Sequence, residues 1–290
     1  MVFAYPGNEP LAQTIAQYLG AQQGRMHMRH FPDGETYVRA HTSVEQRPVI
    51  VVCTLDQPNS KLLGVLLWAH TLRDLGASHI TLVTPYLSYM RQDERFHPGE
   101  GVTSAYIATM ISASFDELWT IAPHLHRHTS LDHIYTIPTH CVDISQILAQ
   151  WIAQNVSDPL LVGPDEESAQ WIDAIARHIQ APSCVLHKVR RGDRDVEVRA
   201  TSRVELDRQR TPVIVDDIIS TGRTMARAVE WCKDQDLLAP WCVGIHAVFS
   251  DDAASLLSDR GAARVVTTNT IAHATNAIDV ASVWGQELPS

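Results

Sequence analysis

The stretch Pro212-Val-Ile-Val-Asp-Asp-Ile-Ile-Ser-Thr-Gly-Arg-Thr-Met225 constrains this chain more than any other. An apolar run, Val213 to Val215, ends in adjacent acids, Asp216 and Asp217. Ser220-Thr221-Gly222-Arg223-Thr224 then leads into a helical pattern. Buried strand, acidic pair, tight turn and helix start are the parts of a phosphate site in a parallel α/β sheet. Backbone N–H groups around Gly222 can point at a phosphate, and the hydroxyls of Ser220, Thr221 and Thr224 can donate to it. Gly222 lets the backbone approach closely where a Cβ would clash. The two carboxylates suit sugar hydroxyls or a metal bound to them. An ordinary strand–turn–helix with solvated acids is the competing explanation.

This pattern resembles the ribose-5-phosphate/phosphoribosyl-pyrophosphate motif of the type I phosphoribosyltransferase superfamily. The motif alone does not separate a transferase that uses phosphoribosyl pyrophosphate from a synthetase that makes it, so the rest of the chain has to decide.

At 290 residues there is room for two domains of ordinary size. Apolar content of 45% with 19% charged residues describes a soluble globular protein with a substantial core. A net charge of −10 argues against a general nucleic-acid or anionic-membrane surface. Phosphate ligands remain compatible with it, because local cations and backbone amides decide such sites. The amino terminus lacks the basic region and long apolar stretch of a signal peptide, and no apolar run approaches the ~20 residues that span a bilayer. Cys53, Cys141, Cys184, Cys232 and Cys242 are scattered and never form a C-x-x-C pair, which predicts buried free thiols in a reducing cytoplasm.

Strand-like and helix-like stretches alternate throughout, predicting an α/β fold with mainly parallel sheets. Short strands are expected at Val2 to Tyr5, Val49 to Cys53, Ile80 to Val83 and Leu118 to Ile121. Helices are expected at Leu11 to Leu19, around Leu62, Leu66, Ala69 and Leu72 (with Asn59 or Ser60 as N-cap), and at Thr103 to Ser112. The second half repeats the grammar, with strands at Leu160 to Val162, Val213 to Val215, Trp241 to Phe249 and Arg264 to Thr268. Its helices are expected at Ser168 to Ile179 and Met225 to Cys232. Arg47-Pro-Val-Ile-Val51 and Thr211-Pro-Val-Ile-Val215 form a faint internal repeat; chance similarity between two buried strands is the alternative. A duplicated fold is expected, in which only the second copy carries the sugar-phosphate turn. The expected boundary divides the chain into 1–140 and 141–290.

Phe31-Pro-Asp-Gly-Glu35 is a turn bracketed by Met26 to His30 and Thr36 to Ala40, and Arg91-Gln-Asp-Glu-Arg95 follows later. Together these resemble two motifs of the ribose-phosphate pyrophosphokinases, and the resemblance runs from Gly7-Asn8 to about Asp279. It implies two tandem phosphoribosyltransferase-like domains, the first serving ATP and oligomerisation, the second ribose 5-phosphate. It also implies that Phe31 stacks on adenine, that Asp33 and Glu35 accept from its amino edge, and that Arg91 and Gln92 hold the ATP side. A planar cation against polyphosphate and an aromatic face against a base make that chemistry coherent. Where the family carries Asp-x-His, this chain has Ala122-Pro-His124, followed by His126 and His128. His124 takes the place of a magnesium ligand; another alignment puts His126 there, and three imidazoles on one face of an extended segment could hold a transition metal. Asp165, in Gly163-Pro-Asp-Glu-Glu-Ser168, matches a family aspartate that binds metal or ribose. Glu166, Glu167 and Ser168 replace its small glycine-rich residues, the two glutamates reading as a helix start. The basic loop Lys188-Val-Arg190-Arg191-Gly-Asp-Arg194 matches a flexible Lys-x-Arg loop, which assigns Lys188 and Arg190 to transition-state stabilisation, with Arg191 as a helper.

The activity so implied is attack by the C1 hydroxyl of ribose 5-phosphate on the β-phosphorus of magnesium-ATP, giving 5-phosphoribosyl 1-pyrophosphate and AMP. Asp216 and Asp217 would hold ribose hydroxyls, and Ser220, Thr221, Gly222, Arg223 and Thr224 the 5-phosphate. Phe31, Asp33 and Glu35 would come from a neighbouring subunit, so a homo-oligomer of at least a dimer is implied, family members commonly forming hexamers. A phosphoribosyltransferase, a diphosphokinase for another pentose phosphate and a non-catalytic regulatory homologue are the alternatives.

Overall fold

Short β-branched runs separated by amphipathic stretches fold into two parallel sheets, each covered by helices. The computed structural model describes residues 1–125, 129–190, 196–200, 207–250 and 252–288, with the side chains of 188–190, 196–199 and 285–286 outside that description. Two compact units result, 1–142 with 281–290, and 143–280.

In the first unit the elements run β1 (Val2–Ala4), α1 (Glu9–Tyr18), β2 (Met26–His30), β3 (Thr36–Ala40), β4 (Pro48–Val52), α2 (Pro58–Asp74), β5 (His79–Thr84), α3 (Thr103–Ser114), β6 (Glu117–Ile121) and β7 (Thr139–Val142). The sheet has five parallel strands in the order β1-β4-β5-β6-β7, while β2 and β3 form a separate antiparallel hairpin. Val49 and Val51 of β4, Ile80 and Leu82 of β5 and Leu118 of β6 are buried with Trp68, Ala69 and Leu72 of α2. Each such aliphatic side chain contributes about 1.5–3 kcal/mol by leaving water, so the sheet is the rigid frame and the strand ends are where loops can serve ligands.

The second unit runs α4 (Ser145–Asn155), β8 (Pro159–Gly163), α5 (Ala169–Ile179), β9 (Ser183–Arg190), β10 (Val196–Ala200), β11 (Thr211–Ile219), α6 (Arg223–Asp234), β12 (Trp241–Ala247), α7 (Ala253–Asp259), β13 (Arg264–Thr268) and β14 (Asn276–Ile278). Its seven-stranded sheet is ordered β10-β9-β8-β11-β12-β13-β14, parallel except for β10 against β9. A last helix, α8 (Val283–Glu287), belongs with the first unit; it packs on α1 and carries Trp284, which is fully buried.

The run β8-β11-β12-β13-β14 repeats the order and direction of β1-β4-β5-β6-β7. In both units a helix and an antiparallel hairpin separate the first two of these strands: α1 with β2–β3, and α5 with β9–β10. The tandem duplication is therefore visible in topology as well as in the repeated Pro-Val-Ile-Val.

Three expectations need correction. The strand expected at Val213 to Val215 continues to Ile219, because Ile218 and Ile219 find partners in His246 and Ala247 of β12. Helix α2 begins at Pro58 rather than after Asn59 or Ser60, since a proline costs nothing in a first turn where its missing N–H has no helical partner. Cys141 is exposed; the other four cysteines are buried, and all five are free.

Candidate active site

The acidic pair lies inside β11 instead of beyond it, with Asp216 paired to Gly244 of β12 and the strand resuming its pairing at Ile218. Asp217 N–H donates to Asp216 Oδ1 at 3.1 Å. Burial pushes the Asp216 carboxyl well above the usual carboxylate range, and the neighbouring charges of Asp217 and Asp165 push it the same way. The Asp217 N–H pulls in the opposite sense and does not win. Three acids thus share one corner of the second unit.

Asp165 reaches that corner from the end of β8. Its Oδ1 is buried and takes no hydrogen bond. Glu166 and Glu167, the expected helix start, are exposed in a short 3-10 turn ahead of α5. Magnesium prefers oxygen ligands, commonly one or two carboxylates completed by substrate phosphates and water. The orphaned Asp165 oxygen beside Asp216 fits such an ion, although no group of three or more metal-holding side chains is preassembled among the described residues. His124, the other metal candidate, is half-buried just after β6 in the first unit. His126 and His128 lie outside the described residues.

After β11, Gly222 adopts a left-handed conformation (φ +69°) immediately before α6. A Cβ there would sit 3.3 Å from the Ala253 carbonyl, so glycine answers both the torsion and the space. Gly222 O accepts the Ala226 N–H at 2.8 Å, and no side chain caps the helix. The next N–H groups therefore face outward at the positive end of the helix dipole. Ser220 O accepts from Ser250 N–H at 3.1 Å, which ties the turn to the segment after β12. Thr221 and Arg223 are exposed, and Ser220 and Thr224 half-buried. The arrangement can hold a phosphate with amides and hydroxyls, and polyols or cations with the acids.

In the first unit, Phe31-Pro-Asp-Gly-Glu35 forms the tip of the β2–β3 hairpin. Phe31 N–H donates to Glu35 O (2.8 Å), Gly34 N–H to Phe31 O (2.9 Å) and Glu35 N–H to Asp33 Oδ1 (3.2 Å). Phe31 is 39% exposed. The Arg29 guanidinium lies 4.5 Å from the Phe31 ring centroid and 4.6 Å from that of Tyr37. Arg29 went unnoticed in the sequence, yet strand alternation places it on the same face as Phe31, and it pairs with Tyr37 across the hairpin. Arg91 is exposed, Gln92 is half-buried, and Gln92 O accepts the Ser104 N–H at 3.3 Å where α3 begins. Ala122, where the family carries an acid, is buried with a left-handed φ of +40°.

Lys188 and Arg190 belong to β9, opposite Val198 and Val196 of β10, and not to a loop. Alternating valines extend the strand pair through the basic segment. The side chains of both, and Arg191 entirely, lie outside the described residues.

A sequence model of the N-terminal domain of ribose phosphate pyrophosphokinase matches residues 1–114, and one of the phosphoribosyl transferase domain matches residues 130–282. The ribose-phosphate pyrophosphokinase of Sulfurisphaera tokodaii is 33% identical over 93% of both chains, and that of Saccharolobus solfataricus 30% identical over 89% of both. The chain belongs to the ribose-phosphate pyrophosphokinase family. A crystal structure of phosphoribosylpyrophosphate synthetase from Mycobacterium smegmatis has the same fold, with a TM-score of 0.83 at 23% identity, covering 99% of this chain and 96% of that one. Both domains of the family's architecture are present, the hairpin lying in the first unit and the acid corner with the turn after β11 in the second. Within the second unit, Asp165, Asp216 and Asp217 come together, and the Ser220–Thr224 turn continues from the same strand end. Among the described residues no helix is long and apolar enough to cross a membrane.

Proposed function

We propose that this protein is a ribose-phosphate diphosphokinase, transferring the β,γ-diphosphoryl group of magnesium-ATP to the C1 hydroxyl of ribose 5-phosphate. The observation that carries the reading is the match of residues 1–114 to the N-terminal domain of ribose phosphate pyrophosphokinase, joined in one chain to an acid corner and phosphate turn. A phosphoribosyltransferase needs only the second of these.

The N–H groups opening α6, with Ser220, Thr221 and Thr224, hold the 5-phosphate, and Arg223 adds a cation beside it. Asp216 and Asp217 accept from the ribose hydroxyls and orient C1. Phe31 presents its open ring face to adenine, Arg29 covering the other, while Asp33 and Glu35 accept from the amino edge. Arg91 and Gln92 hold the ATP phosphates. Lys188 and Arg190 neutralise charge that develops on the diphosphoryl group in flight; the protein's main work is aligning two anions and screening them. Magnesium would supply positive charge to offset that of the phosphates, and His124 in the first unit and Asp165 in the second would each be a candidate protein ligand for it. The hairpin serves a neighbouring copy's nucleotide, so the working form is a homo-oligomer of at least two chains, and its place is the cytoplasm.

Ala122, which lacks the family's carboxylate, favours a second reading, a regulatory homologue that keeps the fold without turnover. AMP release from magnesium-ATP separates the two. Release that requires ribose 5-phosphate supports the enzyme; no release at any magnesium concentration supports the regulator. Release that requires a nucleobase contradicts both.

A further inference from the structure

Ser168 stands where the family has small glycine-rich residues, and its side chain is almost wholly buried, with 1% of the residue exposed. Its hydroxyl donates to the Asp165 carbonyl at 2.5 Å and accepts from the Asp165 N–H at 3.5 Å. Room for it exists because residue 163 is glycine: a Cβ there would lie 2.5 Å from Ser168 Oγ. The chain between them carries Asp165, whose Oδ1 is buried without a partner and whose charge is felt at Asp216. A pair of glycines at this turn would lose much backbone freedom on closing around a ligand. Glu166, Glu167 and Ser168 carry less of that freedom, and the serine pins the turn to its own first residue.

We infer that Ser168 is a positioning residue, a buried hydroxyl that closes the Gly163–Ser168 turn and keeps the unpaired Asp165 oxygen beside Asp216, ready for a divalent cation. Ser168 touches neither ligand. It acts through Asp165, as second partners of metal ligands do, where their loss costs about 10–100-fold in metal affinity. This inference rests on the proposed reading of the acid corner as the pentose and magnesium site.

The test is calorimetric binding of ribose 5-phosphate to the full chain, with and without magnesium, for wild type, Ser168→Ala and Ser168→Thr. Ser168→Ala should weaken magnesium-dependent binding about tenfold, and Ser168→Thr, which keeps the hydroxyl, should restore most of it. The magnesium-free affinity should stay the same, because the phosphate turn is untouched. Equal affinities for wild type and Ser168→Ala in magnesium would overturn the inference, as would equal losses with and without the cation. If Ser168→Ala does not fold, Ser168→Cys, which keeps the shape with a slightly larger atom and weakens the hydrogen bond, decides by the same comparison. Wild type that fails to bind ribose 5-phosphate at all contradicts the functional reading itself, a result distinguishable from either outcome above.

Discussion

The turn after β4 and the turn after β11 begin from the same Pro-Val-Ile-Val and end in the same geometry, yet one is closed and the other open. Each reaches its helix through a left-handed residue, Gln57 (φ +48°) before α2 and Gly222 (φ +69°) before α6. In the first unit the polar groups of the turn are spent internally. Lys61 Nζ donates to Thr54 O (3.1 Å) and pairs with Asp56, and Thr54 N–H donates to Asn8 Oδ1 (2.8 Å). Pro58 occupies the first helical position and supplies no N–H. In the second unit that position is Arg223, which has an N–H to offer, and a half-buried acid, Asp216, stands where the first copy has the apolar Val52. Duplicated backbones thus differ in the hydrogen-bonding groups and charges they leave open, and the proposed ligand site lies at the copy that leaves more of them open.

Five substitutions break or sharpen that contrast. Lys188→Ala, on the hairpin of the second unit, should lower turnover by about 10³-fold with an unchanged thermal midpoint, measured by AMP release. An unchanged rate would remove Lys188 from the chemistry. Asp216→Asn should cost about 10²-fold in kcat/KM for ribose 5-phosphate. Its stability should move the other way. The folded chain holds the Asp216 proton more tightly than the unfolded chain, so wild-type stability is lost as pH rises through the raised value. Asparagine removes that loss. The variant's thermal midpoint should exceed wild type at neutral pH, and the gap should close near the unfolded carboxylate value of about 3.9. Gly222→Ala should raise KM for ribose 5-phosphate about tenfold and cost about 1–2 kcal/mol in the left-handed region. Gln57→Gly, at the equivalent place in the first unit, should stabilise and leave KM alone. Lys61→Ala should cost about 1 kcal/mol in urea unfolding and change activity by no more than about twofold, as suits a turn without a ligand.

The sequence made the alternation of strand and helix plain because Val49–Val52 and Val213–Val215 are continuous apolar runs, and Ile80–Val83 an apolar run broken only by Thr81, between polar turns. The hairpin around Phe31 was equally legible from its turn residues. Ser168 was not, because its role depends on the empty space at Gly163, five residues away and visible only in three dimensions. The continuation of β11 past Asp217 was hidden because acids are poor strand formers, and the pairing of Ile218 and Ile219 with β12 carries the strand beyond them. Helix α8 is too short for periodicity to announce it; Trp284 is buried by the first unit and not by its own helix. The loss of an acid at Ala122 was evident from the motif, whereas its left-handed backbone was not.

A crystal of the full chain soaked in ribose 5-phosphate tests the central contrast most directly. Phosphate density should sit at the start of α6, within reach of the N–H groups after Gly222, and the start of α2 should stay free of it. Phosphate bound beside Pro58 instead, or an empty turn after β11 at saturating ligand, would contradict the account.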